Sequence, residues 1–210
     1  MNKSIIIPFL FFAFSFNQVI REPVILDGKI DENEWANATK YNLSDGGNLY
    51  VLHEKDILYF GIKGNSPGWA HVYLYWNDSV RVLHASAALG EQLYINEKGF
   101  WKLQRNFSWE LRESDYGVKL IQKQALYYAK NGWCANNNNT GDKITLEYKI
   151  DLKRFGTPEI KFAVLFTSDG KNKSHYPTKL NDDTLLDKLV SGTNPDSLHF
   201  MPQTWVNIKK

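Results

Sequence analysis

Seven tryptophans occur among the 210 residues of this chain. An indole can fill a core, or it can stack on the apolar C–H face of a sugar ring while its N–H seeks a polar partner. Two of the seven sit among turn residues: Trp69 in Asn65-Ser66-Pro67-Gly68-Trp69 and Trp133 in Asn131-Gly132-Trp133. Loops on a rigid scaffold are where binding residues concentrate. These two rings are therefore the candidates for stacking, with the plugging of one end of the protein as the alternative for each. Polar side chains that could read hydroxyl groups beside them are Asn77, Asp78, Arg81, Asn136 and Asn137. Arg81 offers a planar fork of donors suited to vicinal hydroxyls, although an arginine on a strand is commonly just a solvated side chain. Trp76, Trp101, Trp109 and Trp205 fall on apolar strand faces and are assigned to the core.

Other chemistries find less support. His84 and Ser86 are two apart and share a strand face if the strand continues, which suggests a base and a nucleophile. There is no nucleophile-elbow glycine pattern and no identifiable third member, so that reading is set aside. His53, His71, His84, His175 and His199 show no short paired spacing of the kind zinc requires. Oxygen-rich clusters at Asp27 to Asn33 and at Asn181-Asp182-Asp183 could hold calcium or could be solvated acidic turns; no EF-hand spacing is present. Sugar cleavage needs two carboxylates at a defined separation, which sequence cannot pair. The run Ala85-Ser86-Ala87-Ala88-Leu89-Gly90 permits close approach of a neighbouring backbone, sheet or ligand, with packing as the default.

The elements that must position these residues are mostly strands. Leu146, Tyr148, Ile150 and Leu152 alternate with Glu147, Lys149 and Asp151, giving one wet face and one buried face. The same period runs through Leu58, Phe60 and Ile62, and through Trp101, Leu103, Phe107, Trp109 and Leu111. Further strands are expected at His71 to Trp76, Ser79 to His84, Glu91 to Ile95, Val118 to Gln122, Lys161 to Thr167 and Trp205 to Ile208. Turn residues punctuate them at Ser44 to Gly47, Asn65 to Gly68, Asn77-Asp78, Asn96 to Gly99 and Ser168 to Gly170, and Asn136 to Asp142 reads as a polar loop. Short helices are expected at Gln122 to Lys130 and Asp182 to Leu189. Many short strands with close turn chemistry predict an all-β fold: a two-sheet antiparallel β-sandwich, jelly-roll or immunoglobulin-like, with one or two short helices.

The chain opens Met1-Asn2-Lys3 and continues into the apolar run Ser4 to Phe16, a basic segment followed by a hydrophobic one too short to span a bilayer. Residues 1–18 read as a secretory signal peptide. Ala13-Phe14-Ser15 is the candidate cleavage site, and no cysteine follows it to take a lipid. The expectation is a secreted or periplasmic protein, not inserted in the membrane once the signal is removed. The abundance of Asn, Lys and Ile suits a bacterial source. About 190 residues remain, enough for a single sandwich domain over 19–210. Net charge is +2, with acidic and basic residues intermixed, so nothing favours nucleic acid or an anionic membrane. With Cys134 as the lone cysteine, intramolecular disulfides are excluded and the core must hold the fold.

Asp27-Gly28 is a turn dipeptide. Asp31 stands where a helix-capping side chain would, with Glu34 as capping-box partner, so Glu32 to Asn37 should form a helical turn that folds Trp35 back over the core. Ile25-Leu26-Asp27-Gly28 followed by Ile30-Asp31-Glu32-Asn33-Glu34-Trp35 resembles the opening of carbohydrate-binding modules of family 9. The strand pair Leu49 to His53 and Ile57 to Gly61 then follows as expected, and Thr145 to Phe155 resembles the family's late strand and turn, with Asp151 where the family commonly has proline. The resemblance implies a non-catalytic β-sandwich that holds a sugar end between two aromatic side chains, for which Trp69 and Trp133 are the candidates; the family's own polar ligand residues have no recognisable counterpart in this sequence, and Arg81, Asn77 and Asp78 are polar candidates by their place in the chain alone. It also implies that structural calcium is possible and that no other cofactor is needed. Sandwiches of the DOMON type, which bind haem through Met and His, stay open as an alternative because Met201 lies beside His199. A domain associated with a glycan-processing hydrolase is the other.

Overall fold

The computed structural model describes residues 24–111, 118–140, 143–155, 159–180, 182–185 and 197–208. The expected signal peptide lies outside the described residues. Two antiparallel sheets are present. One has the order β1 (Thr39–Asn42), β2 (Asn48–Glu54), β3 (Ile57–Gly64), β10 (Lys143–Asp151), β9 (Trp133–Thr140). The other runs β12 (Asn172–Tyr176), β11 (Lys161–Ser168), β4 (Gly68–Trp76), β5 (Ser79–Ala85), β6 (Ala88–Glu97), β7 (Phe100–Arg105), β13 (Ser197–Leu198). Two short strands, β8 (Glu110–Leu111) on β6 and β14 (Val206–Asn207) on β11, complete it. This is the expected sandwich.

Its core follows from the alternation. Strand β10 pairs with β3 so that Leu146 faces Ile62, Tyr148 faces Phe60 and Ile150 faces Leu58, putting six apolar side chains on one surface. These meet Val72, Leu74, Leu83, Phe162, Val164 and Phe166 of the second sheet in one buried cluster. The outer face of the second sheet is also apolar: Tyr73, Val82, Tyr94 and Trp101 are covered by Phe200 and Trp205 from the end of the chain. A third cluster forms on the outer face of the first sheet, where Val24, Ile30 and Trp35 pack on Leu52 and Tyr59. Gly61 makes room for it, since a Cβ there would lie 3.0 Å from both Ile30 and Trp35.

The opening motif and the late strand form one buried knot. Glu147 of β10 accepts the Gly28 backbone N–H at 2.7 Å on one carboxylate oxygen and the Trp35 indole N–H at 3.0 Å on the other. Gly28 has φ +85°, and a Cβ on it would sit 2.7 Å from the Asn137 carbonyl oxygen, so only glycine serves. Asp31 caps its turn as expected, accepting the Asn33 N–H at 2.8 Å, while the Glu34 carboxylate accepts from Ile25 N–H at 3.3 Å. Burial pushes the Glu147 carboxyl up to about 8; the Gly28 and Trp35 donors pull the other way and are outweighed.

Three local expectations are corrected. Val118 to Gln122 is not a strand: it begins the single α-helix among the described residues, α1 (Val118–Asn131), which extends the helix expected from Gln122. Its apolar residues do not keep to one stripe. Tyr127 is buried while Ile121 and Leu126 are 65% and 72% exposed, so the local pattern was ambiguous between periods. Asn136 to Thr140 belongs to β9 and not to a loop, because pairing with β10 satisfies a backbone whose side chains have little strand preference. The alternation through Trp101 to Leu111 breaks after Arg105, and Trp109 is 43% exposed instead of core. Of the second helix, expected over Asp182 to Leu189, Asp183–Leu185 forms a 3-10 turn and residues 186–189 lie outside the described residues.

Candidate functional site

The paired strands β4, β5 and β6 carry Arg81 and Glu91 on the inner face of their sheet, where Arg81 stands opposite Leu93 and Glu91 opposite Leu83. The two are therefore diagonal neighbours. Arg81 Nη2 donates to Glu91 Oε2, and Arg105 Nη2, from the end of β7, donates to Glu91 Oε1. Trp133, first residue of β9 in the facing sheet, donates its indole N–H to Glu91 Oε2 at 2.8 Å. One buried carboxylate thus ties four strands, β5, β6, β7 and β9, and both layers together, with both oxygens occupied by donors, as a buried charge requires.

Aromatic rings and a helix end close the site. The Arg81 guanidinium carbon lies 4.8 Å from the Phe155 ring centroid and 5.8 Å from that of Trp76, within reach of a cation–π contact. Trp76 and Phe155 meet edge to face at 4.6 Å. Arg81 Nη2 also donates to the Asn131 carbonyl at 3.1 Å. Arg154, from the turn after β10, donates to the carbonyls of Ala129 and Lys130, where the last turn of α1 has acceptors to spare. Trp76, Arg81, Glu91, Arg105, Asn131 and Arg154 line a cleft of about 290 Å³, together with Leu93 and Lys130. That is close to the lower bound of small-molecule sites, roughly one or two sugar rings.

The sequence-predicted residues divide around this cleft. Arg81 lines it, but as a buried, ion-paired side chain and not a solvated one. Trp133 lies behind it with no exposed surface, stacked on Tyr148 and edge-on to Tyr127, so its ring offers no face to a ligand. Trp69 is in β4, not in a loop. It is seven residues from Trp76 and on the opposite face, so it cannot form a clamp with Trp133. Its Nε1 is buried without an acceptor among the described residues. Asn77 and Asp78 form the two-residue turn between β4 and β5 at φ +43° and +51°, the left-handed geometry that suits a tight hairpin. Asn136 donates to the Leu26 carbonyl at 3.1 Å, which ties the opening segment to β9.

The pair His84 and Ser86 has a third neighbour that the sequence did not disclose. His84 Nε2 lies 2.8 Å from Ser86 Oγ and His84 Nδ1 lies 3.2 Å from His71 Nε2, because His71 stands opposite His84 across the β4–β5 ladder. Proton direction decides what this row is. If His71 donates to His84, His84 to Ser86 and Ser86 to the Ala88 carbonyl at 3.3 Å, every donor is used and only a lone pair on His71 Nδ1 is left bare. The direction a nucleophilic serine needs would strand an N–H on His71 in the interior, which is costly. Burial first, and His84 and Lys173 after it, hold the His71 imidazole well below the usual histidine range and keep it neutral.

The oxygen clusters are engaged in holding chain segments. Asp27 accepts the Lys29 N–H at 2.8 Å. Asp182 accepts the Met201 N–H at 2.9 Å and the Trp205 indole N–H at 2.8 Å, and Asp183 accepts the His199 N–H. Asn181 lies outside the described residues. No group of three or more metal-ligating side chains is assembled among the described residues. His199 is exposed and Met201 half-buried. Among the described residues no helix is long and apolar enough to cross a membrane.

No family profile matches the chain, and no curated protein matches it. Its fold is similar to a carbohydrate-binding module of family 9 from Caldicellulosiruptor kristjanssonii solved with glucose, at 13% identity and a TM-score of 0.41, over 73% of this chain and 81% of that one. It is likewise similar to one from the same organism solved with cellotriose, at 12% identity and a TM-score of 0.41, over 73% of this chain and 79% of that one. At such identity the likeness is one of architecture alone.

Proposed function

We propose that this chain is a secreted, non-catalytic carbohydrate-binding module whose ligand occupies the cleft beside Trp76, Arg81, Glu91 and Asn131. The observation that carries the reading is the composition of that cleft: an aromatic ring, fixed guanidinium donors and a buried carboxylate converge on a space the size of a sugar. Sugars ask for this combination, since each ring has an apolar face and a rim of hydroxyls that both donate and accept. The two sequence segments that resemble family 9 modules support the same class, being joined in space through Glu147. The pattern of residues 1–18 supports export.

The test is calorimetry of the protein lacking residues 1–18 against a panel of neutral and acidic oligosaccharides, repeated with Trp76→Ala and Trp69→Ala. Loss of a stacking ring worth about 1 kcal/mol weakens binding about fivefold in the Trp76 variant, while the Trp69 variant binds as the parent does. Binding lost with Trp69 and kept without Trp76 would place the ligand on the outer face of the second sheet and refute the assignment. Appearance of the processed protein in the periplasm or medium checks export, and retention in the cytoplasm opposes it.

A further inference from the structure

The cleft holds more positive charge than its internal pairing consumes, and we infer that its ligand is an acidic sugar, a uronate-type residue whose carboxylate meets Arg81 and Arg105. This rests on the carbohydrate reading above and narrows its ligand class. Four cationic side chains and one carboxylate line the space. Lys130 is neutralised by Glu110, whose carboxylate accepts from its ammonium at 2.6 Å. Arg154 faces the end of α1, where the carbonyls carry roughly half a negative charge. Among the described residues, Arg81 and Arg105 share Glu91 alone. Two guanidinium groups on one carboxylate leave about one whole positive charge in the cleft, and Arg154 adds a fraction.

A second observation points the same way. The Arg81 side chain is 10% exposed, yet its Nε–H has no acceptor among the described residues, and a buried donor left unmade is costly. Arg105 is 55% exposed along its side chain and has more donors than its contact with Glu91 uses. A neutral pyranose would supply acceptors without charge. A carboxylate supplies both, and charge-assisted hydrogen bonds to guanidinium are about twice as strong as neutral ones. The Trp76 ring beside the two arginines gives the sugar body its wall, which is what separates a uronate from a free carboxylate.

The experiment titrates the protein with D-glucuronate, D-glucose and acetate. Glucuronate is expected to bind at least tenfold more tightly than either of the others. Its affinity should fall several-fold as salt rises to about 0.15 M, where the Debye length shrinks to about 8 Å. Both arginines are partners of buried Glu91; Arg105→Gln, on a half-exposed side chain whose place water can take, is the milder variant, expected to cut the preference for glucuronate over glucose about tenfold. Glucose binding as tightly as glucuronate, or an unchanged preference in Arg105→Gln, overturns the acidic-sugar inference and leaves the carbohydrate reading standing. Acetate binding as tightly as glucuronate overturns it too, as a carboxylate site that ignores sugar. Failure of every saccharide in the wider panel removes both.

Discussion

Replacing Glu147 by glutamine should change how stability depends on pH, and the size of the change follows from the site. In the folded protein burial raises this carboxyl from its ordinary 4.5 to about 8. Between those values the native state keeps a proton that the unfolded chain has released. The native state then binds more protons, so stability falls as pH rises, by about 1.4 kcal/mol per unit for one such group. From pH 5 to pH 7 the loss is about 2–3 kcal/mol, and it levels off once the native carboxyl also ionises near pH 8. Glutamine does not titrate. It can accept one of the two N–H groups at Gly28 and Trp35 but turns its own N–H toward the other, which costs about 1–3 kcal/mol. The parent should therefore be the more stable protein at pH 5, with an advantage that shrinks through pH 7. Urea denaturation of both proteins at half-unit pH steps measures the difference directly, and other titrating groups cancel. Two curves that run parallel across this range would refute the reasoning, since they would mean that the buried carboxyl carries its charge throughout.

His71 predicts the opposite slope. With its folded value held below the ordinary 6.5, acidification lets the unfolded chain take up a proton that the native ring refuses, so stability drops below about pH 6.5. His71→Gln should flatten that limb of the denaturation profile. Gly28→Ala forces a left-handed residue and a Cβ into the Asn137 backbone, and should cost several kcal/mol, read as a large drop in thermal midpoint. Trp133→Ala empties a fully buried indole site and strips a donor from Glu91, for about 3–5 kcal/mol of stability in a urea titration. A variant as stable as the parent would mean that the Trp133 indole contributes neither core packing nor a needed donor to Glu91.

Much of the fold was legible because the physics that sets it is local. The alternation of Leu58, Phe60, Ile62 and of Leu146, Tyr148, Ile150 is the pleat itself, and Asn77-Asp78 is where a two-residue hairpin turn would be placed. Elements whose choice is made by tertiary partners were misread. Val118 to Gln122 alternates well enough for a strand, but the chain places it on a helix that covers β9, with contact to the core through Tyr127. The asparagines of β9 have weak strand preference and become a strand because β10 offers a full ladder.

The candidate site was the least legible part, and the reason is geometric. Arg81 and Glu91 sit on strands that were both expected, yet their meeting depends on the register of the β5–β6 hairpin, and the small residues from Ala85 to Gly90 conceal where that hairpin turns. One residue of slip would send Glu91 to the other face of the sheet. Trp76 was assigned to the core on sound grounds, since it shares a face with Val72 and Leu74; only its place at the end of β4 lets it serve as core lid and cleft wall together. Trp69 and Trp133 were favoured because turn residues precede them. In both cases the glycine before the indole starts the strand or immediately precedes it, so the ring is carried into a sheet instead of being held out on a loop. The binding chemistry of this fold, on the reading proposed here, is carried by strand ends that a hairpin and a helix terminus bring together. A site assembled from strands, a hairpin and a helix end has no compact sequence motif, and the pairing of charges across register is the feature by which to look for it.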